Sequence, residues 1–167
     1  VTTSCVSACT VAWSRCATPQ STTIRTPATP EAAHFSGDQH TMFSHVMLGA
    51  RDLEQSRQFY DALLGALGHA PGVANKSRYF YRSAGGNFGI TLPINGEAAC
   101  HGNGSTLGFA ATAPEQVDAA HAAGVAAGGV SCENPPGWRE LGNGVRLYLA
   151  YLRDPAGNKL CLTYRPA

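Results

Sequence analysis

Few side chains in this sequence are placed to do chemistry, and most of those few have an ordinary structural explanation. His45 stands inside the short β-rich run FSHVMLGA, where it reads as either a wall histidine with hydrogen bonds or a weak candidate base or ligand. His69 and His101 sit beside glycine and proline in stretches that read as surface loops, and His121 falls mid-helix, where solvent is its expected partner. The six cysteines are Cys5, Cys9, Cys16, Cys100, Cys132 and Cys161, with no CxxC pair to suggest a zinc ribbon or a redox motif. Cys5, Cys9 and Cys16 have spacings that fit no standard metal site. No GxSxG elbow is present. Gly102-Asn103-Gly104 precedes a strand-like run rather than a helix, so it reads as a turn and not as a phosphate cradle. Asn103-Gly104-Ser105 fits the glycosylation sequon, which matters only in a secreted chain. Pro135-Pro136-Gly137-Trp138-Arg139-Glu140 reads as a loop whose aromatic and arginine could cap a cavity and grip an anion or a planar ring. Tyr79, Tyr81, Tyr148 and Tyr151 lie in strand-like runs, and alternation requires some of them to face inward.

Composition limits what these groups can serve. The 167 residues make one domain, or a small domain plus a tail. Charged residues are 14% of the chain, against about 25% in a typical domain. With 12 basic and 11 acidic side chains the net charge is +1, far from the basic balance of a phosphate-neutralising nucleic-acid binder. No stretch approaches the roughly 20 unbroken apolar residues that span a bilayer. A chain this long can bury a core without disulfides, so the cysteines are expected reduced and the protein cytoplasmic.

The pattern divides at Met42. Residues 1–41 hold 14 serines and threonines, three prolines and four charged side chains, with no helical or strand period, and are expected to form a disordered or non-core leader. Val1 to Ser14 has no basic region and a broken apolar run, so it does not read as a signal peptide. From Phe43 to Ala50 the chain is strand-like. Asp52, with Gln55 three residues later, then opens a helix whose apolar face carries Leu53, Phe59 or Tyr60, Leu63, Leu64 and Leu67, and Gly68 stops it. Arg78 to Ser83 and Asn87 to Ile94 read as a hairpin around Ala84-Gly85-Gly86.

The same order recurs. Ser105 to Ala111 is strand-like, Pro114 opens a helix, and Val145 to Arg153 and Lys159 to Tyr164 flank the turn Asp154-Pro155-Ala156-Gly157-Asn158. A shift of 61 lays Val46 on Leu107, Leu48 on Phe109, Gln55 on Gln116 and Gly68 on Gly129. A shift of 71 lays Gly86 on Gly157 and Asn87 on Asn158. Two βαβββ modules follow, at about 42–97 and 104–166, within a domain of residues 42–167.

The motifs FSHVMLGARDLEQSRQFYDALLGALG and YLRDPAGNKLCLTYR, at the two ends of Met42 to Pro166, resemble the vicinal oxygen chelate superfamily of glyoxalases, bleomycin-resistance proteins and extradiol dioxygenases. The resemblance implies an α+β fold in which two βαβββ modules form an open eight-stranded mixed sheet around a shared cavity, often in a dimer and often with one divalent metal. It also implies ligands from the first and last strands of each module, commonly two His, or His and Glu, with two Glu. The corresponding positions here are His45, Thr106, Ile90 by the shift of 71, and Cys161. Lewis-acid chemistry needs about three protein ligands and an open position. His45 and Cys161 would be the only pair to hold a metal, if any is held.

The expectation is therefore a protein that binds a small molecule in the cavity with no cofactor, through His45, Met47, Ile90, Thr106, Trp138, Arg139, Tyr148 and Cys161. A homodimer is expected, with no nucleic-acid or membrane partner. The alternative is a lyase or isomerase similar to glyoxalase I that uses Ni, Zn, Mn or Fe. A metal-free catalyst with His45 as base and Cys161 as acid or nucleophile is also compatible with the sequence.

Overall fold

The computed structural model describes residues 42–142 and 144–167, so the reading of residues 1–41 as a leader lies outside the described residues. Module one runs β1 (His45–Gly49), α1 (Leu53–Ala66), β2 (Val73–Ala74), β3 (Arg78–Ser83) and β4 (Gly86–Thr91). Module two runs β5 (Leu107–Ala111), α2 (Pro114–Ala126), β6 (Val130–Ser131), β7 (Gly137–Glu140), β8 (Arg146–Arg153) and β9 (Lys159–Tyr164). The strands form one sheet in the order β1-β4-β3-β2 and another in the order β5-β9-β8-β6, with β7 also paired to β8. In each sheet the first strand is parallel to the last and the remaining pairs are antiparallel. The α+β class and the paired βαβββ modules thus hold, with the strands divided between sheets of four and five.

Local chemistry sets the helices. Asp52 adopts an extended conformation and its side chain accepts the Gln55 N–H at 2.8 Å, satisfying one of the free donors at the start of α1. At the other end Gly68 takes a φ of +87°, which a side-chain-bearing residue rarely adopts. Helix α2 has no side-chain cap at Ala113 and starts instead on Pro114, whose fixed φ suits the first turn. Its middle carries small residues. A Cβ on Gly124 would lie 2.7 Å from a Leu152 methyl and 3.1 Å from a Leu63 methyl, so glycine lets α1 and the second sheet close on α2 together.

The core is common to both modules. Phe59, Tyr60, Leu63 and Leu64 of α1 join Tyr81, Phe88 and Ile90 of the first sheet, Val117 and Ala120 of α2, and Ala150, Leu152, Leu160 and Leu162 of the second. Each sheet therefore turns one face to the helices, and residues of opposite parity lie on its other, open face.

One polar joint crosses this core. Asp154, 4% exposed, accepts the Ala156 and Asn158 N–H groups at 2.9 and 2.8 Å on Oδ1, and the Tyr60 hydroxyl and the Asn158 side-chain amide, both at 2.8 Å, on Oδ2. Asn158 also donates to the Gly49 carbonyl at 3.0 Å, which ties the β8–β9 turn to the end of β1. Asp154→Ala would leave four donors without this acceptor and is expected to cost about 3 kcal/mol or more in urea unfolding, well above Tyr60→Phe, which deletes one bond.

Burial pushes Tyr60 and Tyr81 well above the usual phenol range, helped by Asp154 and Asp61 respectively. The fold holds these protons more tightly than the unfolded chain does. Their stabilisation is complete below the unfolded tyrosine pKa of about 10 and is lost as pH rises beyond it. Urea midpoints should hold to about pH 9.5 and then decline, and tyrosinate absorbance from these two rings should appear only with unfolding.

Candidate functional site

The open face of the first sheet bears a trough of about 600 Å³ lined by His45, Met47, Asn75, Arg78, Phe80, Arg82 and Asn87. Strand register arranges these side chains in rows. His45 pairs with Asn87, which pairs with Arg82. Met47 pairs with Gly89, which pairs with Phe80. Thr91 lies between Gly49 and Arg78. Successive rows are about 7 Å apart, the repeat of alternate residues along a strand. An apolar row thus separates two rows that carry arginine.

Gly89 gives the middle row its depth. A Cβ there would lie 2.5 Å from the Met47 sulfur and 3.1 Å from a Phe80 ring carbon, so the missing side chain is what lets Met47 and Phe80 lie over the strand. The His45 ring Nδ1 is 2.9 Å from the Ser44 hydroxyl, the donor depending on the tautomer. No aspartate or glutamate lines the trough. Among the described residues the ion pairs join Arg57 to Glu54 and Asp61, and Lys159 to Glu133, which leaves Arg78 and Arg82 with no carboxylate partner.

The structure brings together only part of the expected site. His45 and Met47 line the trough. Ile90 does not: it is 1% exposed and packed in the helix-side core. The reason is a single residue in a turn. Parallel pairing matches Met47 to Gly89 in module one and Gly108 to Cys161 in module two. With the first strands related by 61, the last strands are therefore related by 72 rather than 71, and the counterpart of Cys161 is Gly89. The shift of 71 does relate β3 to β8, with Tyr81 and Leu152 both in the core. The longer Asp154–Asn158 turn adds one residue before β9, and a one-residue slip turns a side chain to the opposite face.

Trp138 and Tyr148 are also on the helix side. The expected loop at Gly137–Glu140 is a strand, and in it Trp138 pairs with Tyr148. Tyr148 packs against the core, and its hydroxyl donates to Asp118 of α2. The Trp138 ring meets Tyr148 and Tyr164 edge-on at 5.4 and 6.1 Å and carries the Arg146 guanidinium 5.0 Å above it. Arg139 has the opposite parity, but its guanidinium donates to the carbonyls of Pro135 and Trp138 and so fastens its own segment.

Thr106 and Cys161 have the parity of the second sheet's open face, and neither lines the trough. Cys161 is 8% exposed, with its sulfur 3.2 Å from the Thr163 hydroxyl. Tyr151, its cross-strand partner, is pushed up to about 12, first by burial and then by Cys161. Cys100, Cys132 and Cys161 are free thiols.

Sequence reasoning missed Arg78, Phe80, Arg82, Asn87 and Asn75. The signal was present in RYFYRS: if Tyr79 and Tyr81 face the helix, then Arg78, Phe80 and Arg82 share the other face.

The model of the Glyoxalase/Bleomycin resistance protein/Dioxygenase superfamily matches residues 42–162, and the chain belongs to that superfamily. A glyoxalase/bleomycin resistance protein from Albidiferax ferrireducens T118 has a solved structure 70% identical to this chain. The match covers 74% of this chain and 99% of that one, with a TM-score of 0.72. A glyoxalase-related enzyme from Fulvimarina pelagi is 26% identical, over 74% of this chain and 88% of that one, with a TM-score of 0.57. A putative glyoxalase from Bacillus halodurans, 22% identical over 75% of this chain and 96% of that one, shares the fold with a TM-score of 0.58. No curated protein matches the chain.

Membership raises the question of a divalent metal, and the donor set answers poorly. Once register is corrected, the four strand positions carry His45, Gly89, Thr106 and Cys161. Glycine offers no donor, and threonine is a poor ligand unless deprotonated. Among the described residues no group of three or more His, Cys, Asp or Glu stands together as a metal site. These residues do not fit the three-ligand centre that Lewis-acid chemistry requires.

Proposed function

We propose that this protein binds a small organic molecule in the trough on the open face of the first sheet, without the four-ligand metal site of its superfamily. The observation that carries the reading is Gly89 at one of the four ligand positions, with the space above it taken by Met47. A carboxylate introduced there would have to displace Met47 before it could reach a metal. The remaining lining combines one aromatic and one thioether with amide, imidazole and guanidinium groups, the mixture of apolar wall and few polar anchors that small-molecule sites use.

The second reading is a metal-dependent lyase or isomerase similar to glyoxalase I. His45, exposed at the trough wall, is the observation in its favour. A metal-free catalyst using His45 and Cys161 would require both groups to reach one substrate, and Cys161 is not part of the trough lining.

A homodimer belongs to the first reading. The helix-side faces are used up by the common core, so the open face of a second copy's sheet is a natural cover for the trough. A cytoplasmic location is consistent with the free thiols. Among the described residues no helix is long and apolar enough to cross a membrane.

Elemental analysis of protein purified without a histidine tag, after incubation with Ni, Zn, Mn or Fe and desalting, tests the metal question. Far less than one metal per chain is expected, unchanged in His45→Ala; near-stoichiometric metal lost in His45→Ala would establish the lyase-like reading instead. Light scattering coupled to gel filtration should give twice the 17.4 kDa chain mass, and a monomer at working concentration would remove the dimer from the proposal.

A further inference from the structure

The trough is not chemically neutral, and its charge is organised. Arg82, Asn87 and His45 form one row across β3, β4 and β1, all three exposed, and no acidic side chain lines the site. Arg78 stands two rows away beside Asn75, whose backbone N–H donates to the Arg78 carbonyl at 2.9 Å. Between them lie Met47 and Phe80, with the gap at Gly89. Surface arginines commonly find a nearby carboxylate, as Arg57 does with Glu54 and Asp61 of its own helix. Two arginines turned into a trough that contains no acid therefore present ten unshared guanidinium N–H donors to whatever occupies it.

Resting on the small-molecule reading above, we infer that the ligand is an organic oxyanion: a carboxylate or phosphate attached to an apolar body about one or two rings wide. The oxyanion lies in the Arg82–Asn87–His45 row. Arg82 supplies a planar fork that matches two oxygens, the Asn87 amide, which already donates to the Ser44 carbonyl at 3.4 Å, has a second N–H to add, and the imidazole has Nε2 opposite the nitrogen that meets the Ser44 hydroxyl. The body lies over Met47 and Phe80, one a polarizable thioether and the other an aromatic face, both half-buried already. The Arg78 row, about 13 Å from Arg82 along β3, receives a second polar substituent at the far end. A cationic or purely apolar ligand would leave the guanidinium groups desolvated and unpaired, which disfavours both classes. Closure of the trough by a second copy would strengthen this preference by excluding water from the charges.

Calorimetric titration of the full-length protein with 2-naphthoate and with its neutral isostere naphthalene-2-carboxamide tests the inference. The carboxylate should bind about tenfold or more tightly than the amide, and its affinity alone should weaken as salt is raised. Arg82→Gln should lower the carboxylate's affinity to about that of the amide, and Arg82→Lys should keep part of its advantage. Phe80→Ala should weaken both probes alike. Thermal melting of each variant verifies folding, and Arg82, exposed and unpaired, is a position where replacement is tolerated. Equal binding of the two probes, sensitive to Phe80→Ala but not to Arg82→Gln, would overturn the oxyanion and leave small-molecule binding standing. Binding of neither probe would overturn both. Titration with inorganic phosphate distinguishes the forms of the anion: competition with 2-naphthoate that is lost in Arg82→Gln supports a site for either oxyanion, whereas phosphate that does not compete restricts the inference to carboxylates.

Discussion

Asp154 is the constraint on which the arrangement of the two modules depends. Its carboxyl group closes its own turn through the Ala156 and Asn158 N–H groups, so that the β8–β9 connection has one shape. The same group accepts from Tyr60 in the middle of α1, and Asn158, held by it, reaches the last carbonyl of β1. A turn in module two is thereby fixed to a helix and a strand of module one. Hydrophobic burial alone is non-directional and would tolerate several relative placements of two small amphipathic modules. A buried acceptor with four specific donors tolerates one, because any slippage leaves polar groups unpaired in the core.

That joint determines which surfaces remain for function. With one side of α1 and of α2 packed against the helix-side faces, each sheet has one face in the common core and one left open. The open face of the first sheet is concave at its centre because Gly89 adds nothing above the strand and Met47 and Phe80 lie at its sides. The sheet's alternation then does the sorting: tyrosines to the core, arginines to the trough. A strand position at which the superfamily resemblance implies a ligand is here a glycine between Met47 and Phe80, and the charged side chains along the trough are two arginines of β3.

The comparison between the repeats shows how much depends on one residue in a turn. Shifts of 61 and 71 were enough to recover the first strands, the helices and β3 with β8. They fail at the last strand because the Asp154–Asn158 turn is longer by one than its counterpart, so that Ile90 faces the core and its neighbour Gly89 has the open-face parity. Trp138 is displaced for a related reason. Read as a loop, Pro135 to Glu140 could point anywhere, but as the strand β7 it places Trp138 against Tyr148 on the helix side.

The sequence by itself determined the elements and their order, because these follow from short-range chemistry: a side-chain cap at Asp52, a left-handed glycine at position 68, apolar residues three and four apart in α1, and alternation in β3 and β9. It also determined the superfamily, whose motifs lie at the two ends of the matched region, and the poverty of the donor set, since neither Thr106 nor Cys161 can be converted by folding into a carboxylate. Tertiary structure decided which face each of these residues occupies. Cross-strand register, the one-residue difference between two turns and the common core are long-range facts, settled by the pairing of segments up to 109 residues apart, as in the bond from Asn158 to Gly49. A pattern read along the chain has no access to that pairing, which is why the arginine-lined trough emerged only once β3 was seen between β4 and β2.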